Sequence, residues 1–181
     1  MKAIRSWPAK VPADRCYVVD TLPRLVMDRF DYRCLGDVDD DIVLLEWDVA
    51  VGKEDLEAFI AKAKAQPDRV LVAPYKIYTP TERAVALRRP FWVHRRYGDG
   101  ESTTRFVQPD DETCHLFGLG LAYLPRRIVA AFLKSWPGHF SDGSFSGWHY
   151  RNVTKEVPIA WDVRPVHLHY LIDQTAKEST R

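Results

Sequence analysis

Two acidic residues follow an apolar run in the first third of the chain. The run Ile42 to Leu45 leads directly into Glu46, Trp47 and Asp48. On a β-strand alternate residues point to the same face, so the two carboxylates are expected to converge at the carboxyl end of the strand. Carboxylate oxygens suit Mg²⁺ and Mn²⁺, ions that proteins commonly share with substrate phosphates. The pattern therefore predicts a divalent-metal site; a solvated strand end, or acids that cap the next helix, is the alternative.

Two other segments carry side chains suited to catalysis or metal binding. Asp142 lies in FSDGSFSGWHY, where a carboxylate in a partly apolar setting could act as a general base. The alternative is that Asp142 caps the short helix that follows it. His167 and His169 alternate along RPVHLHY and so share one face of a predicted strand, from which imidazole can bind a divalent metal.

An arginine-rich segment with interleaved aromatic residues, RRPFWVHRRY (88–97), includes Arg95. Such a segment can hold a nucleotide or single-stranded nucleic acid, and a surface loop whose aromatic rings cover the core is the alternative. The sequence contains no GxxxxGK[ST], GxGxxG, HExxH or GxSxG motif. P-loop, Rossmann dinucleotide, zincin and serine-hydrolase chemistry therefore lack support.

The bulk composition is that of one globular domain. The chain has 181 residues, 46% hydrophobic and 28% charged, with a formal net charge of +1. This overall balance of charge and hydrophobicity indicates neither a nucleic-acid-binding surface nor a membrane-binding surface. Three widely spaced cysteines predict neither a disulfide framework nor a zinc knuckle, and no apolar run is long enough to span a bilayer. We expect a cytoplasmic protein.

Hydrophobic periodicity predicts an α/β fold, because a strand, a helix and a second strand follow one another in the middle of the chain. Such a unit favours a parallel strand pair with a right-handed crossover, and catalytic loops at the carboxyl ends of the strands. The predicted strands are 2–7, 16–20, 32–37, 41–51, 69–78, 156–162 and 163–171, and the predicted helices are 21–30, 52–67 and 126–136.

The order of these segments resembles that of GT-A-fold glycosyltransferases, particularly the family 2-like enzymes. In that family an apolar strand ends in a DxD-like acidic motif, and a helix and another strand follow it. The segment DIVLLEWDVAVGKEDLEAFIAKAKAQPDRVLVAPYKIY is similar to this pattern, with EWD in the DxD position. FGLGLAYLPRRIVAAFL resembles the glycine-containing strand and helix of the family, and FSDGSFSGWHY resembles the segment with its catalytic acid. The resemblance covers residues 41–170.

This resemblance implies a fold and a metal site. The fold would be a single GT-A-like (Rossmann-like) domain with a mixed, mostly parallel sheet flanked by helices. Asp48, helped by Glu46, would bind Mn²⁺ or Mg²⁺ and bridge it to the diphosphate of a nucleotide sugar. His167 or His169 would be the C-terminal metal-binding histidine.

The same resemblance implies a catalytic base and a donor site. Asp142 would deprotonate the acceptor hydroxyl of an inverting enzyme. The residues expected to contact the donor are Glu46, Trp47, Asp48, Arg95 and Trp148.

The chain differs from the family at its front, where few residues precede the acidic motif. Residues 1–48 would form a shortened nucleotide-binding half, 49–171 the acceptor half and 172–181 a flexible tail. Either this nucleotide site is minimal, or a partner or second copy completes it in a homo-oligomer, or binding has been lost.

Two other functions fit the same residues. One is a metal-dependent nuclease or phosphoesterase built on Glu46, Asp48 and the histidines. The other is a non-catalytic GT-A-like module that holds a glycan or nucleic acid through segment 88–97. For a transferase the acceptor could be a small molecule, a protein or hydroxylated bases in nucleic acid, with no membrane partner.

Overall fold

The computed structural model describes residues 1–9, 22–28, 31–75, 94–97, 104–107 and 110–167, except for the side chains of 94–97, 104–106 and 167. A 3₁₀ helix spans Tyr32–Asp37. The other elements are β1 (Lys2–Pro8), β2 (Arg24–Met27), β3 (Ile42–Leu45), β4 (Val49–Ala50), α1 (Lys53–Ala65), β5 (Leu71–Val72), β6 (His94–Tyr97), β7 (Thr104–Phe106), β8 (Thr113–Cys114), β9 (Leu116–Phe117), β10 (Leu121–Leu124), α2 (Arg126–Ser135), α3 (Asp142–Asn152), β11 (Val157–Pro158) and β12 (Val166–His167).

A five-stranded sheet in the order β2-β1-β3-β10-β5 forms the centre of the fold. β1 is parallel to both β2 and β3, and β10 runs antiparallel between β3 and β5. Four strands thus run one way and β10 the other, which confirms the predicted mixed, mostly parallel α/β fold. The crossover prediction needs one correction: β3 and β5 point the same way, but β10 separates them, so they are not a hydrogen-bonded pair.

Helices cover both faces of this sheet. Val43 and Leu45 of β3 belong to the same buried cluster as Phe59 of α1. Leu44 points the other way and shares a second buried cluster with Phe132 of α2. Because both faces are covered, β3 and β10 are buried at every position, which explains their uninterrupted apolar sequences.

The two predicted helices of the middle and second half are confirmed. α1 has acids in its first turn and lysines in its last, complementing the helix dipole. The backbone N–H of Arg126, at the start of α2, donates to the carboxylate of Asp41 at 2.8 Å. The acidic residue just before β3 therefore caps a helix that is distant in sequence.

The N-terminal region differs from the sequence-based expectation. The helix predicted over 21–30 is wrong, because Arg24–Met27 is strand β2 and pairs along β1. The strand predicted over 32–37 is also wrong: this segment is a 3₁₀ helix whose first turn is capped by the Asp31 carboxylate. Both segments are short, and contacts with the sheet and a side-chain cap outweigh their local propensities.

The remaining predicted strands are shorter in the structure or lie outside its description. Of the strand predicted over 69–78, only β5 is a strand in the described residues, and residues 76–78 lie outside the described ranges. The strand predicted over 16–20 also lies outside them. β11 and β12 fall within the two strands predicted near the C-terminus and pair with β8 and β4. No helix in the described ranges is long and apolar enough to cross a membrane.

Candidate active site

The two acids after β3 lie in a turn rather than on the strand. β3 ends at Leu45, and the N–H of Val49 donates to the carbonyl of Glu46 at 3.1 Å, which closes a turn around Trp47 and Asp48. The prediction of one strand over 41–51 is therefore wrong at this point. The two carboxylates are still close, since Asp48 lies near enough for its charge to raise the pKa of Glu46.

Arg5 of β1 holds this turn in place. Its guanidinium is almost fully buried, and Nη1 donates to the carbonyl oxygens of Glu46 at 2.6 Å and Val49 at 2.9 Å. A buried cation needs such acceptors, and hydrogen bonds from a charged donor are stronger than neutral ones. The sequence reasoning did not single out Arg5; the signal was a charged residue inside the apolar strand KAIRSW.

Asp142 comes to the same region from the start of α3. Ser141, not Asp142, is the helix N-cap: its hydroxyl accepts from the N–H of Ser144, whose hydroxyl accepts from the N–H of Ser141. The capping role considered for Asp142 is thus filled by its neighbour. Oδ2 of Asp142 instead accepts a hydrogen bond at 3.2 Å from the N–H of Leu119, in the loop before β10.

Two tyrosines complete what we call the acidic cluster, formed by Glu46, Asp48, Asp142, Tyr32 and Tyr75. The hydroxyl of Tyr32 donates to Oε1 of Glu46. The ring of Tyr75 is buried, and the charges of all three acids raise the pKa of its hydroxyl, after burial itself. Neither tyrosine was predicted as a site residue, since both lie in segments remote in sequence from the acids.

Two acids of this cluster, Glu46 and Asp142, have pKa values raised above their ordinary range. Burial raises the pKa of Glu46 well above its usual range, the charges of Asp142 and Asp48 raise it further, and the hydrogen bond from Tyr32 partly offsets them. Burial also raises the pKa of Asp142 to about 6, against the opposing hydrogen bond from Leu119. Concentrated negative charge of this kind favours a bound cation, and a carboxyl with such a pKa suits general acid–base catalysis.

One of the two predicted histidines is placed near the turn by its backbone. β12 pairs with β4 so that His167 lies opposite Val49, the residue after Asp48. The side chain of His167 and the whole of His169 lie outside the described residues. Their role as metal ligands stays a prediction.

The predicted donor-binding residues outside the acidic cluster lie in different environments. Trp47 is partly exposed and lies between the two acids, edge-on to Trp7 at 6.4 Å between ring centroids. Trp148 is only 8% exposed, and its ring lies 5.4 Å from that of Phe132 between centroids, so it packs in the core; its role in donor binding stays a prediction. Its segment is helical, and helical periodicity turns this ring inward. Arg95 lies on β6, with its side chain outside the description.

Comparison with known proteins indicates the fold. No protein-family model and no curated protein matches the sequence. The crystal structure of A197 from STIV matches with a TM-score of 0.55 at 16% identity, over 92% of this chain and 85% of A197. UDP-glucose pyrophosphorylase from Acinetobacter baumanii matches with a TM-score of 0.49 at 12% identity, over 83% of this chain and 57% of that one. The first similarity shows a shared fold alone, and the second is too low to support an inference.

We expect Asp142→Asn to stabilise the protein above pH 6 and to lose that advantage in acid. The pKa of Asp142 rises from its ordinary value of 3.8 to about 6, so between these pH values the folded chain binds a proton that the unfolded chain does not. At pH values above the pKa of the folded state, the ionised carboxyl therefore destabilises the fold by on the order of 1–3 kcal/mol. At pH values below the pKa of the unfolded state, this destabilisation is absent.

Urea unfolding of both proteins, in a chelator to remove divalent cations, measures this effect. The difference in unfolding free energy between variant and wild type should shrink as the pH falls from about 7.5 to about 4. A difference that stays constant over this range would contradict the assigned environment of Asp142.

Proposed function

We propose that this protein is a metal-dependent glycosyltransferase of the GT-A kind, which moves a sugar from a nucleotide-sugar donor to an acceptor hydroxyl with inversion. The observation that carries the proposal is the convergence of Glu46 and Asp48, from the turn after β3, with Asp142, from the start of α3. The same two acidic segments are among those whose order and spacing resemble these enzymes.

The chemistry of the acidic cluster fits a hard divalent cation. Its acids offer carboxylate oxygens, the donors that Mn²⁺ and Mg²⁺ accept. Within the described ranges, no group of three or more Asp, Glu, His or Cys side chains is arranged to hold a metal ion unaided. Asp48, with Glu46 as helper, would therefore share the ion with the donor diphosphate and with His167 or His169. When bound, the ion would neutralise negative charge on the leaving group.

The environment of Asp142 supports its proposed role as the catalytic base. Its pKa of about 6 leaves it ionised above neutral pH, yet more basic than an ordinary aspartate. The carboxylate accepts hydrogen bonds from the N–H of Leu119 and from its own backbone N–H, and because its two oxygens offer about four lone-pair sites, it can still accept from the acceptor hydroxyl. In the proposed step the acceptor oxygen bonds to the anomeric carbon and the bond from that carbon to the diphosphate breaks. The hydroxyl proton passes to Asp142, and the nucleoside diphosphate leaves.

Other parts of the proposal concern the substrates. Trp47, between the two acids and partly exposed, could stack on the donor. The acceptor class stays open among a small molecule, a protein and modified nucleic acid, as does a homo-oligomer that completes the donor site. A nuclease or phosphoesterase and a non-catalytic module remain the competing functions.

We expect a nucleoside diphosphate to raise the melting temperature only when Mn²⁺ is present. Differential scanning with UDP, GDP, ADP, CDP and TDP, each with and without the metal, measures this. Asp48→Ala should abolish most of the shift, because it removes the principal oxygen ligand. Asp39→Ala is the matched control, since the Asp39 side chain is fully exposed outside the cluster. No shift with any of the five diphosphates would contradict the proposal.

We expect Asp142→Asn to keep this metal-dependent shift while transfer from labelled nucleotide sugars falls roughly 10²–10⁴-fold, the usual contribution of a general base. Retained transfer would overturn the assignment of Asp142. Incubation with DNA or RNA and metal alone tests the competing function, because degradation without a sugar donor would identify a nuclease.

A further inference from the structure

Two glycines make room for the ring of Tyr75. A Cβ at Gly120 would lie 2.3 Å from Cε1 of this ring, and a Cβ at Gly118 would lie 2.6 Å from its hydroxyl oxygen. Both distances are shorter than real Cβ atoms allow, so any side chain at either position would displace Tyr75. Neither glycine has a φ in the left-handed region. Space for Tyr75, rather than an unusual backbone conformation, therefore explains both glycines.

The same loop also holds the proposed base. The Cβ position of Gly118 lies 3.3 Å from Oδ2 of Asp142, so the carboxylate and the Tyr75 hydroxyl face the same point on the loop. The N–H of Leu119 donates to Oδ2, and the N–H of Gly120 bonds to the Tyr75 hydroxyl. Two successive backbone N–H groups thus hold the phenol and the carboxylate at one loop, the Tyr75 hydroxyl 2.6 Å and Oδ2 of Asp142 3.3 Å from the Cβ position of Gly118.

We propose that Tyr75 is a positioning residue for Asp142: its hydroxyl donates into the acidic cluster and fixes the direction in which the Asp142 carboxylate meets the acceptor. The consequence for turnover rests on the proposed function. The contact itself rests only on the geometry of the loop.

The chemistry of a buried phenol suits this role. Burial and the charges of Glu46, Asp142 and Asp48 hold the pKa of Tyr75 above its usual range, so the hydroxyl keeps its proton and remains a donor. A carboxylate restrained on one side by the loop and its phenol loses orientational freedom, and small misplacements of a reacting group are costly. Tyr75 would therefore influence the rate of transfer more than the binding of donor.

Tyr75→Phe tests the proposal, because it keeps the ring and removes only the hydroxyl. We expect kcat to fall roughly 10–100-fold, with the KM for donor unchanged within about twofold. The ¹³C resonance of the Asp142 carboxyl carbon should also move, independently of any activity. Tyr123→Phe is the matched control: this buried tyrosine donates to the carbonyl of Pro67 at 2.9 Å. It should change neither kcat nor the Asp142 resonance.

Gly118→Ala is a second variant that deletes no functional group. It should lower kcat and move the Asp142 resonance as Tyr75→Phe does, because the added methyl displaces the phenol or the carboxylate. Gly36→Ala controls for crowding alone, since its methyl would meet Cδ1 of Leu133 at 2.8 Å in another part of the core.

The outcomes separate this inference from the proposed function. If Asp142→Asn abolishes transfer but Tyr75→Phe keeps the wild-type kcat, the positioning role is wrong and the glycosyltransferase proposal stands. If the wild type transfers no sugar, the proposed function fails. The ¹³C resonance of the Asp142 carboxyl in Tyr75→Phe then decides whether Tyr75 positions Asp142. An Asp142 resonance that does not move in Tyr75→Phe would overturn the inference in either case.

Discussion

The antiparallel pairing of β10 with β3 is the constraint on which the candidate site depends. Leu121 at the start of β10 lies opposite Leu45 at the end of β3, and the N–H of Glu46 donates to the carbonyl of Gly120 at 2.9 Å. This register brings the loop before β10 to the carboxyl end of β3. The loop in turn binds Asp142 through the N–H of Leu119. A sheet in which β3 and β5 were neighbours would bring this loop nowhere near the turn.

The acidic cluster is electrostatically unfavourable, and interactions with the rest of the fold stabilise it. Burial and mutual repulsion raise the pKa values of Glu46 and Asp142, which means that their ionised forms destabilise the protein. The Tyr32 hydroxyl and the backbone N–H of Leu119 donate compensating hydrogen bonds to the carboxyls of Glu46 and Asp142, while Arg5 holds the turn through its backbone carbonyl oxygens. Perturbed carboxyls in such a setting are more common at functional sites than in cores selected for stability alone.

The sequence predicted those features that depend on local pattern. α1 and α2 were predictable because their apolar residues recur at helical spacing, and the three acids because their types suit metal binding and catalysis. Features that depend on distant contacts were not: Arg24–Met27 is a strand because β1 pairs with it. Arg5, Tyr32 and Tyr75 join the acids from segments far away in sequence, and Trp148 faces the core because its segment is helical. The metal-binding role of the acids stays a prediction.

The central claim is that Asp48 and its neighbours hold a divalent cation shared with a nucleoside diphosphate. A crystal grown with Mn²⁺ and the diphosphate that stabilises the protein most tests it directly, because Mn²⁺ scatters anomalously. We predict an anomalous peak within coordination distance of an Asp48 carboxylate oxygen and of the diphosphate, with Asp142 facing the same space. A bound diphosphate with no peak beside Asp48, or a peak held by residues elsewhere, would contradict the account.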